Sequence, residues 1–157
     1  MWILSGEGEL LNTDLMFSSE SNEWGTPQDL FNQLNLEFNF TLDPCATNEN
    51  HKCDKFYTIT DDGLSKSWEG EIVFVNPPYG RDIGNWVQKC YYENVTNKTT
   101  CVMLIPARTD TKYFHKYIYH QAEIRFIEGR IKFVSSDATK KLQAAPFPSM
   151  IVIFRKV

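Results

Sequence analysis

No Lys or Arg occurs in the first fifty residues of this 157-residue chain, which carry nine Asp or Glu. All sixteen cations follow among the other eleven acids, so the charge runs from −9 in that stretch to +5 in the rest. Any basic face for an acidic partner therefore belongs to the C-terminal two thirds. No apolar run approaches the length of a membrane span, and the N-terminus MWILSGEGELLN has neither the basic region nor the long apolar stretch of a secretory signal. The expected protein is soluble and intracellular, and the Asn-X-Thr sequons at 94–96 and 97–99 read as chance matches. Cys45, Cys53, Cys90 and Cys101 form no CxxC pair, and His51 is the only histidine near them. That excludes an ordinary zinc site; reduced, mostly buried thiols and no metal are expected. Internal repeats and low-complexity linkers are also missing. With 42% hydrophobic and 14% aromatic residues, the chain has the material for one core and is not disordered. The acidic, Ser/Asn-rich stretch 1–22 reads as an N-terminal arm, and 23–157 as a single domain.

What is present is punctuated by proline. IVFV at 72–75, CVMLI at 101–105 and SMIVIF at 149–154 have the composition of strands buried on both faces. Phe38, Phe40 and Leu42 alternate with polar neighbours and lead into Asp43-Pro44, a further strand ending at a carboxylate, and FYTIT is a candidate short strand. In EWGTPQDLFNQLN, Thr26 is a natural N-cap, Pro27 fits the first helical position, and Leu30, Phe31 and Leu34 form a stripe. This predicts a helix over 27–36. Ile83, Trp86, Val87, Cys90 and Tyr91 predict an amphipathic helix with Asp82 near its start, and Asp110 is expected to cap a helix carrying Tyr113, Phe114 and Tyr117. AEIRFIEGRIKFV alternates on both sides of Glu128-Gly129, which predicts a hairpin or a tight strand-turn-strand. Strands alternating with helices make an α/β three-layer fold, and right-handed crossovers place the tips at Asp43, Asn76 and Pro106 on one rim.

The run VFVNPPYG carries the most chemistry. Two successive prolines remove two backbone donors and fix two φ angles, so the strand ends at Asn76. The carboxyl ends of strands in an open parallel sheet are where ligands bind. There Asn76 offers an amide, Pro77 a carbonyl and Tyr79 an aromatic face, a set suited to a flat ring bearing an amino group. The plainer alternative is an ordinary turn with Tyr79 as packing.

WGTPQDLFNQL, TLDPCA, DDGLSKSW, VFVNPPYG, VMLIPARTDT and GRIKF, in this order, resemble the small phage-type DNA N6-adenine methyltransferases, the Dam-like family of bacteriophages and prophages. The likeness covers about 24–154, and six ordered motifs are far more specific than NPPY alone. It implies an α/β, Rossmann-like methyltransferase sheet dependent on S-adenosyl-L-methionine, with helices on both faces and an antiparallel C-terminal hairpin. By the same resemblance Asn76, Pro77, Pro78 and Tyr79 hold a flipped adenine, with the Asn76 side chain and a proline carbonyl accepting from N6 and Tyr79 stacking on the ring. Trp24, Thr26 and Pro27 look like the motif beside the methionine part of the cofactor. Asp43 and Pro44 look like the tip of its first strand, and Asp62 like the acid that accepts from the cofactor's adenine amine. Phe133 resembles an aromatic facing Tyr79 across the base. Arg81, Arg108, Lys112, Arg130 and Lys132 follow strand tips or the hairpin and are candidates for DNA phosphate contacts. Each has an ordinary counterpart: a helix cap at Thr26-Pro27, a turn former at Asp43, surface charge at Asp62 and the cations, core packing at Phe133.

The chain departs from most methyltransferases in one respect: DPCATNENH, after the first strand, has no glycine for close backbone approach to a cofactor. Thr47, Asn48 and Asn50 are polar candidates to stand in. Little length remains for a target-recognition domain, so specificity falls to short loops such as 47–55 and 135–147, or to a partner subunit as in a homodimer. The expected setting is the cytoplasm of a bacterial host. Two other readings use the same turn: an NPPY methyltransferase acting on protein glutamine or RNA, which does not account for WGTP or LIPARTDT, and a catalytically silent binder of DNA or a host protein.

Overall fold

The proline-stopped apolar runs become the centre of a sheet. The computed structural model describes residues 25–133 and 143–155, so the expected arm at 1–22 and Trp24 lie outside the described residues, as does most of the 135–147 loop. In chain order the main elements are α1 (Gln28–Phe38), β1 (Leu42–Asp43), β2 (Lys55–Phe56), β3 (Ile72–Val75), α2 (Ile83–Asn97), β4 (Thr100–Pro106), β5 (Glu123–Phe126), β6 (Lys132–Phe133), β7 (Gln143–Ala144) and β8 (Ser149–Phe154). Six strands form one mixed sheet in the order β2-β1-β3-β4-β8-β5, and β6 pairs with β7 in a separate ribbon. β2, β1, β3 and β4 are mutually parallel, while β8 runs antiparallel to both β4 and β5. Parallel pairing puts the carboxyl ends at Asp43, Asn76 and Pro106 on one rim, as expected.

Apart from Thr100 and Ser149 at their starts, the central strands are apolar because both faces are covered. Val102, Met103, Leu104 and Ile105 of β4 are fully buried, each stabilising by about 1.5–3 kcal/mol before the entropy of ordering is counted. Phe74 of β3 meets Phe31 of α1 edge to face at 5.2 Å. Its neighbour Val73 points to the other face, in register with Cys101 and, through it, Phe154. Phe154 meets Tyr91 of α2 at 6.3 Å. The two long helices therefore lie on opposite faces.

Several local expectations yield to partners distant in sequence. α1 extends through Phe38, so Phe38 and Phe40 are not in a strand; the helix closes at Asn39, left-handed with φ 56°, whose N–H bonds to the Asn35 carbonyl. β1 is left with two residues. Of FYTIT only Phe56 lies in a strand, although Tyr57 N–H still bonds to the Asp43 carbonyl at 3.0 Å. Thr111, not Asp110, opens the next helical turn. Its Oγ1 accepts from Phe114 N at 3.3 Å, and the turn continues as a π-helical stretch over Phe114–Ile118. Around Glu128-Gly129 the strand-turn-strand alternative holds and the hairpin does not: β5 and β6 flank that turn but do not pair with each other. β8 needs a neighbour on each side to satisfy its backbone, and β5 supplies one of them. The last strand thus enters between β4 and β5, a pairing that local alternation does not reveal.

Candidate active site

Strand order places the site. The chain passes from β1 outward to β2 and returns across β1 to β3, so the order reverses between β1 and β3, the place where open α/β sheets take their ligands at the carboxyl ends of the strands. Asp43 and Asn76 stand at those two ends.

At the β3 end Asn76 is half-buried, Pro77 buried and Pro78 exposed. Asn76 Nδ2 donates to Thr26 Oγ1 at 2.9 Å. Thr26 is 3% exposed, and its hydroxyl is engaged there rather than as the expected helix cap. The cap position belongs to Pro27, whose carbonyl accepts the first helical bond from Phe31 N at 3.1 Å. Tyr79 is buried, and its hydroxyl donates to the Leu104 carbonyl of β4 at 3.2 Å. Burial pushes the phenol well above its ordinary range, so it stays protonated and acts as an anchor. Gly80 follows at φ 132°, a backbone region that side chains disfavour, and lets the chain leave the turn toward α2.

At the β1 end Asp43 is 5% exposed. Burial raises its pKa, opposed by backbone N–H bonds from Lys52, at 2.9 Å to Oδ2, and from Cys45. Asp43 thus organises the glycine-free loop after β1. Lys52 ties the same loop to the first turn of α1, Nζ donating to Gln28 Oε1 at 2.8 Å. Within the loop Asn50 N donates to Thr47 Oγ1 at 2.9 Å, closing a tight turn. Asp62 sits left-handed at φ 57° beside this tip. Gly63 holds it there: an added Cβ would stand 2.3 Å from the Pro44 carbonyl oxygen. Trp68 is fully buried and locks the turn, Nε1 donating to the Gly63 carbonyl at 3.1 Å. Close approach at Gly63 and an exposed acid next to it fit a ligand lying along the β1 tip.

Phe133 does reach Tyr79, but the rings meet edge to face at 6.1 Å rather than as parallel plates. Sequence reasoning missed Phe147. It touches Tyr79 at 5.4 Å and Phe133 at 6.3 Å. The Arg108 guanidinium lies over its ring at 5.9 Å. The only local signal was an aromatic between Pro146 and Pro148, which says nothing of a partner 68 residues away. Lys52 and Gln28 were missed for the same reason. Arg108 is thus at the aromatic cluster, and Arg130 Nη1 donates to the Ala145 carbonyl at 3.4 Å across the β6–β7 ribbon. Arg81, Lys112 and Lys132 are exposed, Arg81 just past the turn.

Cys45, Cys53 and Cys90 are poor nucleophile candidates. Burial pushes Cys45 and Cys90 well up and Cys53 to about 12, so little thiolate forms near neutral pH. The arrangement is instead one of fixed hydrogen-bond acceptors around an aromatic platform. No helix among the described residues is long and apolar enough to cross a membrane.

Comparison with known proteins agrees with this geometry. The profile of the family described as DNA N-6-adenine-methyltransferase (Dam) matches residues 15–157. The DNA N-6-adenine-methyltransferase of Haemophilus phage HP1 (strain HP1c1) is 30% identical over 139 residues, covering 87% of this chain and 80% of that protein. That of Escherichia phage T1 is 30% identical over 152 residues, covering 85% of this chain and 63% of that protein. The match includes the whole described sheet and both flanking helices, and the chain belongs to the DNA N-6-adenine-methyltransferase (Dam) family.

Proposed function

We propose that this chain transfers a methyl group from S-adenosyl-L-methionine to N6 of an adenine in DNA, the base being turned out of its stack into the crevice between the β1 and β3 tips. The observation that carries this reading is the amide of Asn76. Its nitrogen donates to Thr26 Oγ1 at 2.9 Å, which holds the side chain at the β3 tip, and its carbonyl oxygen is an acceptor. The N6 lone pair of adenine is delocalised into the purine. Two acceptors on its hydrogens, Asn76 Oδ1 and the Pro77 carbonyl, favour the pyramidal, more nucleophilic nitrogen of the transition state. Tyr79, tethered through its hydroxyl to Leu104, gives the base a ring to pack on, with Phe133 beside it.

The methyl donor, when bound, supplies an electrophilic sulfonium methyl. Thr26, Pro27, Asp43 and Pro44 line its methionine side in this reading, and Asp62 accepts from its adenine amine. The close packing of Gly63 on Pro44 supports that placement. The sheet is then a Rossmann-like methyltransferase sheet and 23–157 a single catalytic domain. Arg81, Arg108, Lys112, Arg130 and Lys132 meet DNA phosphates. The protein works in the cytoplasm of a bacterial host.

The test is incubation with labelled S-adenosyl-L-methionine and unmethylated adenine-rich plasmid, followed by digestion to nucleosides. Wild type forms N6-methyladenine. Asn76→Ala retains its fold and cofactor affinity but is slower by roughly 100-fold or more, the loss seen when one preorganised transition-state hydrogen bond is removed. Transfer to RNA or protein alone, or no transfer at all, overturns the proposal.

A further inference from the structure

We infer that Phe147 is a placeholder for the turned-out base: its ring holds the place beside Tyr79 until the adenine takes it. This rests on the reading of the β3 tip given above and deepens it by naming a residue that the base must displace. A base that packs on Tyr79 needs one face of that ring, yet Tyr79 is only 6% exposed. Phe147 meets it at 5.4 Å and 74°, Phe133 meets it at 6.1 Å and 86°, and the two phenylalanines meet each other at 6.3 Å. With so little of Tyr79 exposed, this triangle of rings has no open face for a purine, and one ring has to leave. Tyr79 is not the one, since its hydroxyl is tied to the Leu104 carbonyl at 3.2 Å and Pro77 and Pro78 stiffen the chain before it. Phe133 is the farther from Tyr79 and the more deeply buried of the other two. Phe147 is the nearer, and it also touches the exposed Arg108, whose guanidinium lies over its ring at 5.9 Å. The backbone is held on both sides of Phe147: Ala145 N donates to the Ile131 carbonyl at 2.8 Å, Ala107 N donates to the Pro148 carbonyl at 2.9 Å, and Pro146 and Pro148 have fixed φ angles. Release is therefore a rotation of the side chain. A cation over a ring at an exposed site is a weak contact, whereas a guanidinium bonds a phosphate through charge-assisted hydrogen bonds. A DNA phosphate that engages Arg108 thus draws it off the Phe147 ring and loosens the placeholder when a base is at hand.

The test uses the competition between ring and base. Removing the ring raises the fraction of molecules open to the base, and with it the apparent affinity for DNA. Phe147→Ala is expected to raise kcat/KM for unmethylated plasmid by about 3- to 10-fold, the range set by one edge-to-face ring pair, while its Tm falls because a buried ring is lost. Phe147→Leu fills the space without an aromatic edge and should lie between the two proteins. Simple damage to packing does not give this combination, because a deformed site loses stability and turnover together. A second readout needs neither DNA nor turnover. The ring resonances of Tyr79, identified by their disappearance in Tyr79→Phe, broaden with a soluble paramagnetic probe in Phe147→Ala more than in wild type. If Phe147→Ala does not fold, Phe147→Leu is put through the same measurements, and a rise in kcat/KM is still required. An unchanged or lower kcat/KM overturns the inference, and a lower value would make Phe147 a wall on which the base itself stacks. Equal broadening of Tyr79 in variant and wild type overturns it as well. Failure of the underlying reading looks different: wild type would then form no N6-methyladenine, whatever Phe147 does to the exposure of Tyr79, and the inference falls with it.

Discussion

Asp43 is a buried carboxylate answered mainly by its own loop. Its oxygens take the N–H groups of Lys52 and Cys45, and burial outweighs these bonds, so its pKa lies above the ordinary value. A raised carboxyl pKa means that ionisation opposes folding: the associated stability is full below the unfolded value of about 3.9 and lost as pH rises through the folded value. Against that cost stands the service the oxygens give to two backbone donors. Asp43→Ala leaves these N–H groups without their acceptor and is expected to cost about 1–3 kcal/mol. Thermal unfolding should show Tm lower by about 2–4 °C for each kcal/mol. An unchanged Tm would mean that water replaces the carboxylate without loss. The Asp-Pro tip itself is legible in the sequence because a strand pattern runs into it. Its partner at Lys52 is not, because it lies in a polar loop without period.

Between elements, the closest approach in the site is Gly63 against the backbone of Pro44. A Cβ would be 2.3 Å from the Pro44 oxygen and 3.2 Å from its carbonyl carbon, and neither is the end of a flexible side chain. Gly63→Ala therefore has to part the Asp62–Leu64 turn from the β1 tip. The expected cost is about 1–3 kcal/mol, as for other overpacked sites, and on the proposed role of Asp62 S-adenosyl-L-methionine binding by calorimetry is weaker too, since Asp62 moves with the turn. Gly84→Ala is the control. Its Cβ would meet Tyr113 at 3.6 Å, ordinary contact, in the first turn of α2. It should stabilise by up to about 0.5 kcal/mol, the low end of the mid-helix gain, without touching cofactor affinity. Long elements such as α2, β4 and β8 could be anticipated, since a stripe or an unbroken apolar run is a property of neighbouring residues. The two-residue β1 and β2, the capping by Thr111 and the insertion of β8 depend on who bonds to whom, which neighbouring residues do not encode.

Across the whole molecule α1 is a tie rod. Its start is joined to the β3 tip through Thr26 and Asn76, and its last turn reaches the opposite edge of the sheet. There Glu37 accepts from Arg125 at 2.8 and 2.9 Å and from Arg155 at 3.0 Å, while both arginines also donate to Glu123. The Arg155 guanidinium lies over Phe38 at 5.1 Å. The helix is legible locally, but its two fastenings are 50 and 88 residues away. Hydrogen bonds from Arg125 and then Arg155 hold the Glu37 carboxyl down to about 2, and Glu123 is lowered by the same pair. Both folded values lie below the ordinary carboxylate value, so the stability these groups contribute is present above the unfolded pKa. It is lost as pH falls from about 4.3 toward about 2. The side chains are 38–47% exposed, so salt also weakens the network. Arg125→Ala is accordingly expected to lower Tm at pH 7 and low salt, and the gap to wild type to close on acidification from about pH 5 to 2. The gap should also narrow in about 1 M NaCl, where the screening length is only about 3 Å. A Tm difference that ignores both pH and salt would assign the effect to packing of the Arg125 stem instead, and α1 would then be held to that edge by contact alone.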